Sequence, residues 1–74
     1  MNYWIHAPHL NSSDLRAIFT QVAVELLRDE TYCWAMYEYL SPTKHLLMVR
    51  HPLLPDHKAN LERAYNCTLT EEHA

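Results

Sequence analysis

Six histidines and two cysteines are the side chains of this chain best suited to metal binding or nucleophilic catalysis. His6 and His9 form an H-x-x-H pair, but the pair flanks Pro8 at the end of a predicted strand, so the two rings need not share a side. His45 and His51 lie six residues apart on another predicted strand, about 20 Å, which is too far for one ion to bridge. No Cys-x-x-Cys or His-Glu-x-x-His spacing occurs. We therefore expect no metal and no other cofactor.

Nucleophiles and paired carboxylates are similarly scarce. Cys33 and Cys67 are the only thiols, and the predicted strand register sends Cys33 and His51 to opposite faces, so no Cys–His pair is expected. The serines fall at a helix start and a turn, where local hydrogen bonding explains them. Glu38 is the only acid inside a predicted strand, and no second carboxylate is placed to work with it. We predict that the chain is not an enzyme.

Charge and composition exclude further classes of function. The 74 residues carry six Lys and Arg against nine Asp and Glu, a formal charge of −3, and the basic residues are dispersed. Nucleic acids require a basic patch, so an RNA- or DNA-binding module with an aromatic sheet face is the alternative and not the favoured function. The chain has no glycine, which excludes glycine-rich phosphate loops and leaves turns with positive φ to Asn and Asp.

The lack of a long apolar segment predicts the location of the chain in the cell. No apolar run approaches the roughly 20 residues of a membrane span, and the first residues lack the basic and long apolar regions of a secretory signal. Two cysteines without export are typical of reduced thiols. We predict a cytoplasmic protein with no membrane partner.

The elements that must position these side chains follow from apolar periodicity. Residues 2–7 are aromatic and β-branched, which predicts a strand. Residues 11–14 are N-cap types, and apolar residues at steps of three and four from Leu15 to Leu27 predict an amphipathic helix of about four turns. Residues 31–40 and 45–51, joined by a turn at 41–44, predict a β-hairpin. The alternative is that residues 31–40 continue the helix.

The remaining residues complete a small α+β domain. Asp56 is expected to cap a second helix that runs through Leu61 and Tyr65, with Arg63 near its C-terminal end. Residues 67–70 are candidates for a short last strand, and residues 70–74 are expected to fray. The order β-α-β-β-α, with or without a final β, predicts a single domain over residues 1–74. Its expected fold is a ferredoxin-like sandwich, an antiparallel sheet with two helices on one face.

Both faces of the predicted hairpin are largely apolar, although a half-exposed sheet should alternate apolar with polar residues. Pairing Leu40 with His45 gives one face with Trp34, Met36, Glu38, Leu40, His45, Leu47, Val49 and His51. The other face carries Cys33, Ala35, Tyr37, Tyr39, Leu46, Met48 and Arg50. Two helices cover only one face, so we predict that a partner covers the other. With the helices on the Trp34 face, the expected partner-binding residues are Tyr37, Tyr39, Met48 and Arg50, and the exposed candidates on the first helix are Val24 and Arg28.

These observations favour a small non-enzymatic protein that docks on a larger host protein or complex and inhibits or bridges it sterically. Small, motif-poor proteins with surplus apolar surface are common among accessory factors of phages and mobile elements, anti-CRISPR inhibitors of host defence included. That comparison rests on the size and general character of such proteins, and no sequence motif supports it. A homodimer is a further hypothesis, through paired sheet faces or through edge strands.

Overall fold

The computed structural model describes residues 1–72 and confirms the predicted ferredoxin-like fold. In chain order the elements are β1 (Asn2–His6), α1 (Ser12–Leu27), β2 (Ala35–Ser41), β3 (Lys44–Val49), α2 (Pro55–Tyr65) and β4 (Thr68–Glu71). The strands form one antiparallel sheet in the order β2-β3-β1-β4, which is the split βαβ arrangement. Residues 35–41 are a strand, so the alternative of a continued helix is wrong.

The first helix begins and packs as its sequence predicts. Asn11 is the N-cap, and its side-chain oxygen accepts the backbone N–H of Asp14 at 2.8 Å, which satisfies one of the free donors of the first turn. Leu15, Phe19 and Val22 are buried along one face. The apolar spacing therefore fixes both the helix and the side that it turns to the sheet.

The second helix starts two residues earlier than predicted. Leu54 is the N-cap and makes no side-chain cap bond, and Pro55 occupies the first turn, so Asp56 lies inside the helix instead of capping it. Proline suits this position because its missing N–H has no intrahelical acceptor there. At the other end Asn66 takes the left-handed conformation (φ 49°) and its N–H bonds to the carbonyl of Glu62, as expected of Asn in a chain without glycine.

The hairpin register differs from the predicted one by one residue. Tyr39, and not Leu40, lies opposite His45, and Ser41 lies opposite Lys44, so the ladder is irregular at Leu40. A bulge of this kind inserts one unpaired residue and reverses the alternation on one strand relative to the other. The predicted composition of the two faces is therefore wrong: Ala35, Tyr37 and Tyr39 share a side with His45, Leu47 and Val49.

Both helices pack over one side of the sheet and enclose a single apolar core. From the sheet the core takes Tyr3, Ile5, Leu47 and Val49, and Leu69 of β4 joins them. From the helices and connections it takes Leu15, Phe19, Val22, Ala23, Tyr32 and Leu53. The helix α2 contributes half-buried residues that pack against this core, and the ring of Tyr65 lies 6.0 Å from that of Phe19.

The candidate last strand near the end of the chain is formed. Thr70 and Glu71 belong to β4, which pairs with β1, and the N–H of Glu72 donates to the carbonyl of Asn2 at 2.9 Å. Fraying of residues 70–74 stays a prediction, and residues 73 and 74 lie outside the described part. None of the helices within residues 1–72 has the length and apolar character needed to cross a membrane.

Candidate functional site

The sheet has one face under the helices and one open face. Side chains alternate along each strand, so Tyr3, Leu47 and their neighbours in the core leave the intervening residues on the opposite side. On β3 those residues are Leu46 and Met48, and on β1 Trp4 is one of them. Leu46 is 5 % exposed and yet lies outside the core cluster, as expected of a residue on the other face.

An apolar patch occupies the part of the open face formed by β2, β3 and β1. It consists of Trp4, Met36, Leu46 and Met48, and we call it the open-face patch. Met36 lies opposite Met48, and Trp4 lies opposite Leu46, so all four side chains are neighbours across adjacent strands. Leu46 is shielded at the centre, whereas Met36 on the edge strand is 46 % exposed.

Exposed hydrophobic side chains are concentrated near the edge strand β2. Within residues 1–72 seven large hydrophobic residues are exposed, and four of them lie between positions 34 and 40. These four are Trp34, Met36, Tyr39 and Leu40. Single exposed hydrophobic residues are ordinary, and of these four Met36 is the one that the strand pairing places in the open-face patch.

Glu38 is an exposed carboxylate beside the open-face patch. It lies opposite Leu46 and two residues from Met36 on the same strand. The ion pair that residues 1–72 form joins Lys58 to Glu62 on α2, so Glu38 has no basic partner within that part of the chain. It is the one acid that sequence analysis placed inside a strand. Its neighbours Met36 and Leu46 are apolar, and Lys44 lies two residues from Leu46 on the same side of β3.

Tyr37 and Tyr39 do not share a face with Met48, which corrects the predicted grouping. Tyr37 is half-buried on the helix side, where its hydroxyl lies 2.5 Å from Nδ1 of His45. Tyr39 meets the ring of His45 edge-on, and the guanidinium of Arg16 lies 5.2 Å from the centre of the Tyr39 ring. Both tyrosines therefore connect β2 to β3 and α1, although Tyr39 keeps an exposed edge.

The other predicted partner-binding residues are spread around the molecule. Met48 lies in the open-face patch. Arg50 follows β3, and its N–H donates to the carbonyl of Trp34 at 3.1 Å. Val24 lies at the seam between α1 and β2, where it lines a cavity of about 210 Å³ together with Met36 and Tyr37. Arg28 is the exposed C-cap of α1.

Buried tyrosine hydroxyls hold the connections of the fold in place. The segment Pro52–Pro55 has two backbone N–H groups, since its prolines have none. Tyr3 accepts the N–H of Leu53 at 2.8 Å, and Tyr32 accepts that of Leu54 at 3.2 Å. The segment of chain that leads from β3 into α2 is thereby fixed to the core.

Two histidines are each hydrogen-bonded to a tyrosine, and the contacts of His45 identify its protonated nitrogen. The carbonyl of Pro42 lies 3.3 Å from Nε2 of His45 and only accepts, so this nitrogen carries the proton and Nδ1 accepts from Tyr37. The hydroxyl of Tyr32, already an acceptor, lies 2.5 Å from Nδ1 of His57. These pairs give hydrogen-bond partners to the buried hydroxyls of both tyrosines.

One cavity between the two helices has polar side chains on its rim. Between the helices a cavity of about 250 Å³ has an apolar floor of Val22 and Leu61 and a rim that includes Glu25, Asp29 and His57. Asp29 accepts the N–H of Thr31 at 2.8 Å, and this bond lowers the pKa of its carboxyl. Within residues 1–72 no three His, Cys, Asp or Glu side chains lie close enough to hold a metal ion.

Trp4, Met36 and Leu46 are the site residues that sequence analysis missed. The predicted register put Met36 on the covered face, and it put Leu46 beside the two tyrosines that are in fact covered. Knowledge of the bulge at Leu40 would have corrected the predicted register, but no residue type in that strand indicates a bulge.

The chain matches no known protein family, and no curated protein or solved structure is significantly similar to it.

Proposed function

We propose that this chain is a non-enzymatic protein-binding module that docks on a larger protein through the open-face patch and inhibits or bridges that protein sterically. The observation that carries the proposal is the apolar side of β2 and β3 that the helices leave uncovered, where Met36 is 46 % exposed next to Met48. Apolar surface of this kind loses free energy when a partner removes it from water.

The residue types and the rigidity of the patch support docking. Trp and Met are enriched at the centres of protein interfaces, where they fill pockets of the partner. The side chains project from paired strands, and Leu46 is already packed among them. The strand backbone and Leu46 therefore lose little conformational entropy when a partner covers the patch, whereas Met36 and Met48 must still order their side chains.

The alternative function, nucleic-acid binding through an aromatic sheet face, has less support. Stacking of bases requires aromatic rings on the open face, and Tyr37 and Tyr39 lie on the helix side. Trp4 is the aromatic residue that the paired strands give to the open-face patch. The carboxylate of Glu38 beside the patch repels phosphate.

The proposal places the chain in the cytoplasm. There Cys33 and Cys67, which form no disulfide, stay reduced.

The test is a capture experiment with matched variants. Wild type, the double variant Met36→Gln/Met48→Gln and the control Leu54→Gln are immobilised, exposed to nuclease-treated lysate of the source cell, and compared by quantitative mass spectrometry. Leu54 is exposed like Met36 but lies at the start of α2, so the control makes a similar change of polarity elsewhere.

A protein that wild type and Leu54→Gln retain in stoichiometric amount, and that the double variant loses, supports the proposal. Circular dichroism of each variant must show an intact fold. Retention of the same protein by all three chains would contradict the proposed face. Material that disappears after nuclease treatment would favour the nucleic-acid alternative instead.

A further inference from the structure

We infer that the partner presents a basic side chain, best matched by the guanidinium of arginine, within an otherwise apolar surface, and that Glu38 is the residue that selects it. This inference rests on the proposed function, because it concerns what covers the open-face patch. It adds the chemistry of the partner and a specificity-determining residue to that surface.

The position of Glu38 carries the inference. The register sets it directly across from Leu46 and on the same side of β2 as Met36. A partner that covers Leu46 and Met36 therefore also covers, or closely borders, the carboxylate between them. Glu38 belongs to the contact area and not to a distant rim.

Covering this carboxylate is unfavourable unless the partner compensates for the water that it loses. An ionised carboxylate that is buried without an ion pair costs free energy of the order that a good interface gains. Within residues 1–72 no basic side chain lies within ion-pair distance of Glu38, and Lys44, two residues from Leu46 on β3, is no exception. The partner therefore supplies the compensating charge.

An arginine meets this requirement better than other groups. Its planar guanidinium donates two parallel hydrogen bonds to a carboxylate, and its weakly hydrated face packs on apolar side chains such as Met36. A phosphate in the same place would meet a like charge.

The chain itself carries Lys44 and Arg50 near the ends of β3. A second copy of the chain is therefore the rival occupant, and the test must distinguish it from a foreign partner.

The experiment measures binding of the protein that wild type retains in the capture experiment, purified and titrated against defined variants. Glu38→Gln keeps the size of the side chain and removes the charge, and Glu38→Lys reverses it. Glu25→Gln is the matched control, since Glu25 is an exposed acid on α1. Urea unfolding of each variant verifies that its stability is unchanged.

We expect Glu38→Gln to raise Kd about tenfold or more and Glu38→Lys to raise it further, with Glu25→Gln at the wild-type value. A wild-type Kd for Glu38→Gln, together with loss of binding by Met36→Gln/Met48→Gln, would overturn this inference and leave the proposed function standing. No protein retained at all would overturn both. Sedimentation that shows a wild-type dimer and a Glu38→Gln monomer would assign the face to a second copy and overturn the inference of a foreign partner.

Discussion

Tyr39 lies directly across from His45 in the β2–β3 hairpin, and this pairing decides which side chains the helices cover. His45 is 1 % exposed, bonded to Tyr37 through Nδ1 and to the carbonyl of Pro42 through Nε2. A buried histidine whose two ring nitrogens both have hydrogen-bond partners shows that its side of the sheet is the one the helices cover. Met36, Glu38, Leu46 and Met48 are left on the open face as a consequence.

The first prediction concerns the hydroxyl of Tyr32. The substitution Tyr32→Phe leaves the N–H of Leu54 and Nδ1 of His57 without their partner. We expect the free energy of unfolding to fall by about 1–3 kcal/mol, because buried polar groups lose their hydrogen bonds. Urea denaturation monitored by tryptophan fluorescence measures the change.

The matched control for that substitution is Tyr65→Phe. Tyr65 is half-buried against Phe19 and its hydroxyl makes no hydrogen bond within residues 1–72, so its removal should alter the free energy of unfolding by less than about 0.5 kcal/mol. Equal losses for the two variants would show that the Tyr32 hydroxyl does not hold the Pro52–Pro55 segment.

The second prediction concerns alkaline pH. Burial raises the pKa of Tyr3 and of Tyr37 above the ordinary value, because the ionised phenolates lose hydration in the fold. The folded state therefore binds these protons more tightly than the unfolded state. Their contribution to stability is fully present below the unfolded pKa of about 10 and is lost as pH rises through the folded pKa.

The measurement is the free energy of unfolding as a function of pH on the alkaline side. We expect a decline that begins near pH 9, where the unfolded Cys67 thiol loses its proton, and that steepens above about pH 10. Above pH 10 the decline should be shallower for Tyr37→Phe, because one of the two tyrosines with a raised pKa is gone. A decline of equal slope in wild type and Tyr37→Phe would mean that Tyr37 does not contribute to alkaline unfolding.

The third prediction concerns the two thiols. Burial raises the pKa of Cys67, which lies in the core cluster and donates its S–H toward the carbonyl of Leu61, whereas Cys33 is exposed. Because the thiolate is the reactive form, we expect iodoacetamide to modify Cys33 first and Cys67 only after unfolding. Mass spectrometry of the native Cys33→Ser variant should find almost no adduct; rapid alkylation of that variant would contradict the burial of Cys67.

The elements of the fold were predictable because local chemistry specifies them. Asn11 caps α1, apolar spacing buries Leu15 and Phe19, and Asn66 ends α2 in the left-handed region. Each of these depends on residues within one or two turns of one another. The second residue with positive φ, Cys33 (φ 61°), was not predictable, because cysteine has no preference for that conformation.

The composition of the open face was not predictable from local sequence either. It depends on one unpaired residue at Leu40, and a shift of one position exchanges every side chain of β2 between the two faces. Both faces of this hairpin carry apolar residues, so hydrophobic patterning does not distinguish the two registers. The surplus of apolar surface was visible in the sequence, but the identity of Met36, Leu46 and Trp4 as its members required the strand pairing.

The most direct measurement is site-specific photo-cross-linking. One chain carries a photoreactive amino acid in place of Met36, on the open face, and another carries it in place of Gln21, which is exposed on α1. Each is irradiated in nuclease-treated lysate of the source cell. We expect one discrete protein adduct from position 36 and none from position 21. An adduct from position 21 alone would contradict docking through the open-face patch and assign binding to the helical side.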